Sequence, residues 1–177
     1  MKKEAAKNKK SNKITVISVI VIIILLLTAA VAFAIPKDNT WFSFEVFSTS
    51  LKVNSFLNAI IKEDYEGAFN NLYYYDKATD IPPEISEAEA KQIWVERMEK
   101  LKVKGVFLES FNNLKLHTDD SYMQGTVVIT ISENGAPRSY ETTLFLAKSS
   151  NSWKIGGIST EELLTEFENA VSGYIAK

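Results

Sequence analysis

The feature that most constrains this chain is an apolar run from Ile14 to Ile35 that contains no charged residue, glycine or proline. As an α-helix, its 22 residues would be about 33 Å long, enough to cross a hydrocarbon core of about 30 Å. The run therefore predicts one transmembrane helix in contact with the lipid bilayer. It divides the chain into a short basic tail (residues 1–13), a juxtamembrane linker (residues 36–52) and a domain (residues 53–177).

Charge is distributed unevenly on the two sides of this run. Residues 1–13 contain six lysines and one glutamate, whereas the rest of the chain contains 14 basic and 21 acidic residues, a net charge of −7. Because lysine-rich flanks stay in the cytoplasm, we expect the N-terminus inside the cell and the C-terminal domain outside. An acidic domain argues against nucleic acid as a partner, since nucleic-acid-binding surfaces are basic.

Cysteine is absent from the chain. Its absence excludes disulfides, thiolate metal sites, cysteine nucleophiles and lipid-modified cysteine. A domain that is exported without disulfides must rely on its apolar core, which is more typical of a bacterial cell envelope than of a small secreted eukaryotic protein. The sequence therefore predicts a single-pass protein of the bacterial cell membrane.

The alternative to a permanent anchor is a cleaved signal peptide. Ala32-Phe33-Ala34 matches the small-residue pattern of a signal-peptidase site. Signal peptides, however, have an apolar region of about 7–15 residues, and this run is longer. Its length favours an uncleaved anchor.

The linker contains a group of aromatic residues: Trp41, Phe42, Phe44 and Phe47. Rings at this distance from a membrane span suit the headgroup region, where an amphipathic ring is stable. The alternative is that they are the first core residues of the domain. The sequence leaves both interpretations open.

Apolar residues at spacings of three and four predict helices from Val53 to about Tyr75 and from Glu87 to about Leu101. Gly67 and the charged residues before it weaken the first helix, so two shorter helices are an alternative. Ser86 and Glu89 have the spacing of a capping box at the start of the second helix.

After Gly105 the period changes to two. Four strands are predicted, at Val106–His117, Tyr122–Glu133, Arg138–Lys148 and Trp153–Ile158. Asn134-Gly135 is a strong hairpin signal, and tight turns between neighbours predict an antiparallel meander. A last helix, capped by Ser159 and with Tyr174 on its apolar face, closes the domain. This order predicts an α+β fold, with helices packed on one face of a four-stranded antiparallel sheet.

Two segments resemble the nuclear transport factor 2-like superfamily. Residues 56–60 (FLNAI), leading to residues 64–69 (DYEGAF), are similar to its opening helices, and residues 152–158 (SWKIGGI) are similar to its closing strand. The resemblance implies a cone-like α+β roll with a pocket between helices and sheet. Membrane-anchored members resemble accessory domains of cell-wall enzymes or assembly subunits of conjugation and type IV secretion machines. The superfamily contains enzymes and binding modules, so the fold implies no single activity.

No group of residues predicts a catalytic site. His117 is the only histidine; as a general base it would need partners, and its place beside Asp119-Asp120 is typical of an exposed turn. The chain has no calcium-loop spacing, phosphate-binding loop or zinc-protease motif. We therefore predict no catalytic residue, no metal site and no cofactor.

Three large residues are the candidates for binding a ligand or partner: Tyr73, Trp94 and Trp153. Tyrosine and tryptophan combine apolar area with a polar group, which suits a binding site. We expect a non-catalytic binding or assembly module whose partner is another envelope protein or a wall component. The alternative is a small-molecule-binding protein, or an isomerase- or dehydratase-like enzyme, that uses the pocket of the cone.

Overall fold

The computed structural model describes residues 44–77, 82–119, 122–150, 152–160 and 165–175. The predicted tail and span, and the aromatic residues Trp41 and Phe42, lie outside these ranges. Within them, no helix combines the length and the apolarity that a membrane crossing requires. Residues Trp41–Lys177 belong to one compact unit.

The first helix, α1, spans Phe44–Ile61. It therefore includes residues 44–52, which the sequence analysis assigned to the linker. This stretch is helical because Thr49 and Val53 lie one turn apart on the same face and are both buried in the core. Phe44 and Phe47 are instead exposed, so the interpretation of these two rings as core residues is wrong.

A second, short helix, α2 (Tyr65–Phe69), follows after a break. Glu63 has a positive φ of 63°, which ends the first helix. The Asp64 carboxylate then accepts a hydrogen bond from the Gly67 amide (2.9 Å) and caps α2. The alternative of two shorter helices is thus confirmed.

Helix α3 spans Glu87–Val103 and was predicted closely. The Ser86 hydroxyl accepts a hydrogen bond from the Glu89 amide (3.3 Å), as the capping-box spacing indicated. Its buried face consists of Ala90, Trp94, Met98 and Leu101. Gly105, with a φ of 79°, lies at the turn from this helix to the sheet.

Four strands form one antiparallel sheet in sequence order: β1 (Phe107–Asp119), β2 (Tyr122–Glu133), β3 (Ala136–Ser149) and β4 (Ser152–Thr160). Asn134 and Gly135 connect β2 and β3 with φ values of 55° and 79°, as a tight hairpin turn requires. The inner face of the sheet carries Val127, Ile129 and Leu144, which are buried against the helices. The predicted α+β class and four-stranded antiparallel sheet are confirmed.

The C-terminal end differs from the prediction. Ser159 does not cap a helix; it lies in β4 and pairs with Thr143 of β3. The last helix, α4, spans Thr165–Val171. Tyr174 lies beyond its end, half-exposed, in a bridge with Tyr75. The strand extends further than predicted because β3 offers backbone partners as far as Thr160.

Candidate functional site

Trp94, one of the three predicted binding residues, lies in the core. Its side chain is 0 % exposed, and its ring centroid lies 6.1 Å from those of both Phe56 and Phe69. The indole N–H donates to the carbonyl of Val171 (3.4 Å). Because its surface is covered and its polar group has a partner, Trp94 packs α3 against α1, α2 and α4 and offers no surface to a ligand.

Trp153 lies in β4 and anchors the start of α1. Its indole N–H donates to the Glu45 carboxylate (2.6 Å), and Lys148 lies over its ring, 5.5 Å from the centroid. Lys148 also donates to Glu45 (3.3 Å). The hydrogen bond from Trp153, and then that from Lys148, lower the pKa of Glu45. Trp153 is therefore part of a contact between helix and sheet.

Tyr73 lies in an extended segment that pairs with β4 at the edge of the sheet. Its amide donates to the carbonyl of Ile155 (2.7 Å), and the amide of Ile155 donates to the carbonyl of Asn71 (3.0 Å). The Tyr73 ring lies 6.2 Å from that of Tyr75, which lies 5.6 Å from that of Tyr174. Three tyrosine rings therefore form a row.

The backbone of the C-terminal segment holds this row in place. The Gly173 amide donates to Gly156 (2.9 Å), and the Tyr75 amide donates to the Gly173 carbonyl (2.9 Å). A Cβ atom on Gly173 would lie 1.9 Å from the carbonyl oxygen of Tyr73. Glycine is thus required at this position because the two backbones pass too closely for a side chain.

A groove runs beside the tyrosine row. It has a volume of about 470 Å³, within the usual range for ligand sites. We name it the tyrosine groove and define it by Tyr73, Tyr75, Phe145, Gly156 and Gly157. Its lining also includes the polar residues Ser159, Glu168, Asn169 and Ser172. One oxygen of the Glu168 carboxylate accepts a hydrogen bond from the Thr160 amide.

Gly156 and Gly157 leave the groove open. The register between β3 and β4 shifts beside them, after Phe145, and this shift agrees with the bend expected from two adjacent glycines. A Cβ atom on Gly156 would meet only the carbonyl oxygen of Phe145, at 3.5 Å. The backbone therefore tolerates a side chain here, and because Gly156 lines the groove, we expect such a side chain to narrow it.

The three predicted residues do not form one site. Tyr73 lines the tyrosine groove, whereas Trp94 and Trp153 do not. Tyr75 and Phe145 in the groove, and Tyr174 in the row of rings, were not predicted from the sequence as binding residues. The signal for the first two was present: Tyr73 and Tyr75 have the period of one strand face, and Phe145 alternates with the inward-facing Leu144.

The other groups that could support chemistry do not form a site with the tyrosine groove. His117 is exposed on β1, opposite Gln124 of β2. Within the described ranges, no three histidine or acidic side chains are grouped so that they could hold a metal ion. A larger cavity, of about 560 Å³, is lined mainly by hydroxyl groups, including those of Thr126, Thr142 and Thr160.

Comparison with known proteins yields no relative: no family model, curated protein sequence or solved structure matches the chain.

Proposed function

We propose that this chain is a membrane-anchored, non-catalytic binding module of the bacterial cell envelope. Ile14 to Ile35 serve as the anchor, the lysine-rich tail stays in the cytoplasm, and the α+β domain lies outside. Its partner is another envelope protein or a wall component. The tyrosine groove is the observation that carries the proposal, because aromatic side chains, and tyrosine in particular, are enriched where proteins bind partners.

The packing of the core supports binding over catalysis. In the nuclear transport factor 2-like superfamily, which this chain resembles, the pocket lies between helices and sheet. Here the sheet residues Val127 and Ile129 and the α1 residue Phe56 are all 0 % exposed and belong to one hydrophobic cluster. The groove lies elsewhere, at the edge of the sheet, and Glu168, the one carboxylate among its lining residues, accepts a backbone hydrogen bond with one of its oxygens. Membership of the superfamily remains a prediction.

The direct test is photo-crosslinking in intact cells with a photoreactive amino acid in the groove. Phe145 is 57 % exposed and tolerates replacement without loss of core packing. Tyr122 is an exposed aromatic residue at the start of β2 and outside the groove, so it provides the matched control. We expect a discrete adduct from position 145 and none from position 122. The same adducts from both positions would contradict the proposal.

A second candidate function is small-molecule binding in the same groove. Its volume of about 470 Å³ favours this alternative, since drug-sized ligands occupy sites of this size. Soluble wall fragments and metabolites can be screened for a rise in melting temperature. A ligand that binds in the groove should no longer raise the melting temperature of the Tyr75→Ala and Gly156→Val variants. It should still raise that of the Tyr122→Ala variant. An effect that survives both groove substitutions would place the ligand elsewhere.

A further inference from the structure

One line of exposed apolar side chains runs along the N-terminal part of α1. Phe44, Phe47 and Leu51 have the helical spacing of three and four, so they project from one face. Their exposed fractions are 84 %, 55 % and 56 %. We name these three residues the apolar stripe. Single exposed apolar residues are ordinary, but a contiguous set marks a contact surface.

The same line changes character further along the helix. Continuing at spacings of three and four, the next positions are Asn54 and Asn58. Asn58 is exposed and Asn54 half-exposed, and their side-chain amides donate to Ser50 and Asn54 carbonyls, respectively. This face of α1 is therefore polar from Asn54 onward and apolar only at the N-terminal end of the helix. A helix face that contacts only water is typically polar along its whole length.

The stripe lies close in sequence to the predicted membrane span. Nine residue steps separate Ile35, the end of the predicted span, from Phe44, about 30 Å at full extension. The stripe is thus the first part of the described fold to follow the span, and it extends over about 10 Å of helix. Amphipathic helices that lie along a membrane bury such an apolar face about 5–10 Å into the headgroup region.

We propose that the apolar stripe lies in the interface of the membrane that holds the anchor, in contact with headgroups and upper acyl chains. This inference rests on the proposed function, since it requires the anchor. The charges beside the stripe fit a lipid surface. Lys52 and Lys148 flank this end of α1, bonded to the Ser152 hydroxyl and to Glu45. Because the charge of Lys148 is paired with that of Glu45, Lys52 supplies the net positive charge here, and lysines near a bilayer are attracted to anionic headgroups.

Depth-dependent fluorescence quenching of the full chain tests this contact. Because the chain has no cysteine, single substitutions Phe47→Cys and Asn58→Cys can be labelled specifically with an environment-sensitive fluorophore. The two positions lie on the same face, about 16 Å apart along the helix. In vesicles that contain lipid brominated near the headgroup, we expect quenching of the label at position 47 and little at position 58. Adding Phe44→Ser and Leu51→Ser should reduce the quenching at position 47.

The outcomes separate this inference from the function on which it rests. A chain that alkaline carbonate removes from the vesicles has no anchor, so the proposed function and this inference both fail. A chain that stays in the membrane, with equal quenching at positions 47 and 58, overturns this inference alone. A blue-shifted label at position 47 without quenching by brominated lipid would mean that a protein surface covers the stripe, and would also overturn it.

Discussion

The three tryptophan and tyrosine candidates share the same chemical character but have three different roles in the fold. Trp94 has its indole N–H bonded inside the core, Trp153 binds a carboxylate at the edge of the core, and Tyr73 lines a groove. Residue type indicated that each combines apolar area with a polar group. What decides the role is where that polar group finds its partner, which depends on residues distant in sequence.

Trp94→Ala is expected to destabilise the domain by about 3–5 kcal/mol, because the substitution leaves a cavity between Phe56 and Phe69 and removes the hydrogen bond to Val171. Gln92→Ala, at an exposed position of the same helix, should change the free energy of unfolding by less than about 0.5 kcal/mol. Urea denaturation of the two variants measures the difference. Similar small effects would show that Trp94 is not a core residue.

Acidification should release the contact between Glu45 and Trp153. The pKa of Glu45 is lowered from its ordinary value of 4.5, first by the hydrogen bond from Trp153 and then by that from Lys148. The contribution of the carboxylate is therefore fully present above pH 4.5 and is lost as the pH falls through the lowered pKa. We expect the indole N–H resonance of Trp153 to shift in that acidic range, with the Trp94 resonance as an internal reference. Glu45→Gln should abolish the shift; its persistence would exclude Glu45 as the titrating group.

At the scale of elements, one arginine connects α3 to the C-terminal segment. The Arg97 guanidinium donates to the carbonyls of Asn169 (2.9 Å), Ser172 (3.2 Å) and Tyr174 (2.9 Å). Carbonyls at the end of a helix have no partners within the helix, and a planar guanidinium can bind several of them at once. Arg97 therefore fixes the segment that carries Tyr174 and Gly173, and so supports the tyrosine groove from outside it.

Arg97→Ala is expected to lower the free energy of unfolding by about 2 kcal/mol, the usual effect of losing hydrogen bonds to a charged donor. Arg97→Lys should recover only part of this, because a single ammonium cannot reproduce the fork of the guanidinium. Hydrogen exchange of the Gly173 and Ile175 amides reports the effect locally, since both bond to neighbouring segments. Unchanged protection of these amides in Arg97→Ala would contradict the assigned role.

At the scale of the whole molecule, the α+β fold could be predicted from local signals, whereas the candidate site could not. The sheet followed from the alternation in β2 and from Asn134-Gly135, since a tight turn fixes which strands pair. The groove is formed by β4 and by three other segments, around Tyr73, Phe145 and Ser172. Backbone hydrogen bonds outside the four-stranded sheet join the first and the last of these segments to β4. No local pattern encodes such bonds. The extent of α1 was missed for a related reason, because only tertiary contacts show that Thr49 is buried.

Stability of the whole domain is expected to fall in alkaline solution. Burial raises the pKa of Tyr65 and Tyr74 above the ordinary value of 10.0, and burial together with a hydrogen bond to Glu133 raises that of Tyr140. Below pH 10.0 both folded and unfolded chains keep these protons, so the contribution is fully present. Above it the unfolded chain ionises first, and stability is lost as the pH rises through the folded pKa values.

Urea denaturation at a series of pH values between about pH 8 and pH 11 measures this loss. Tyr140→Phe removes one hydroxyl whose pKa is raised and keeps the ring. The stability of this variant should therefore fall less steeply with pH than that of the unsubstituted chain. Tyr122→Phe, at an exposed position, is the matched control and should leave the slope unchanged. Equal slopes in all three proteins would show that Tyr140 holds its proton no more tightly in the folded domain than in the unfolded chain.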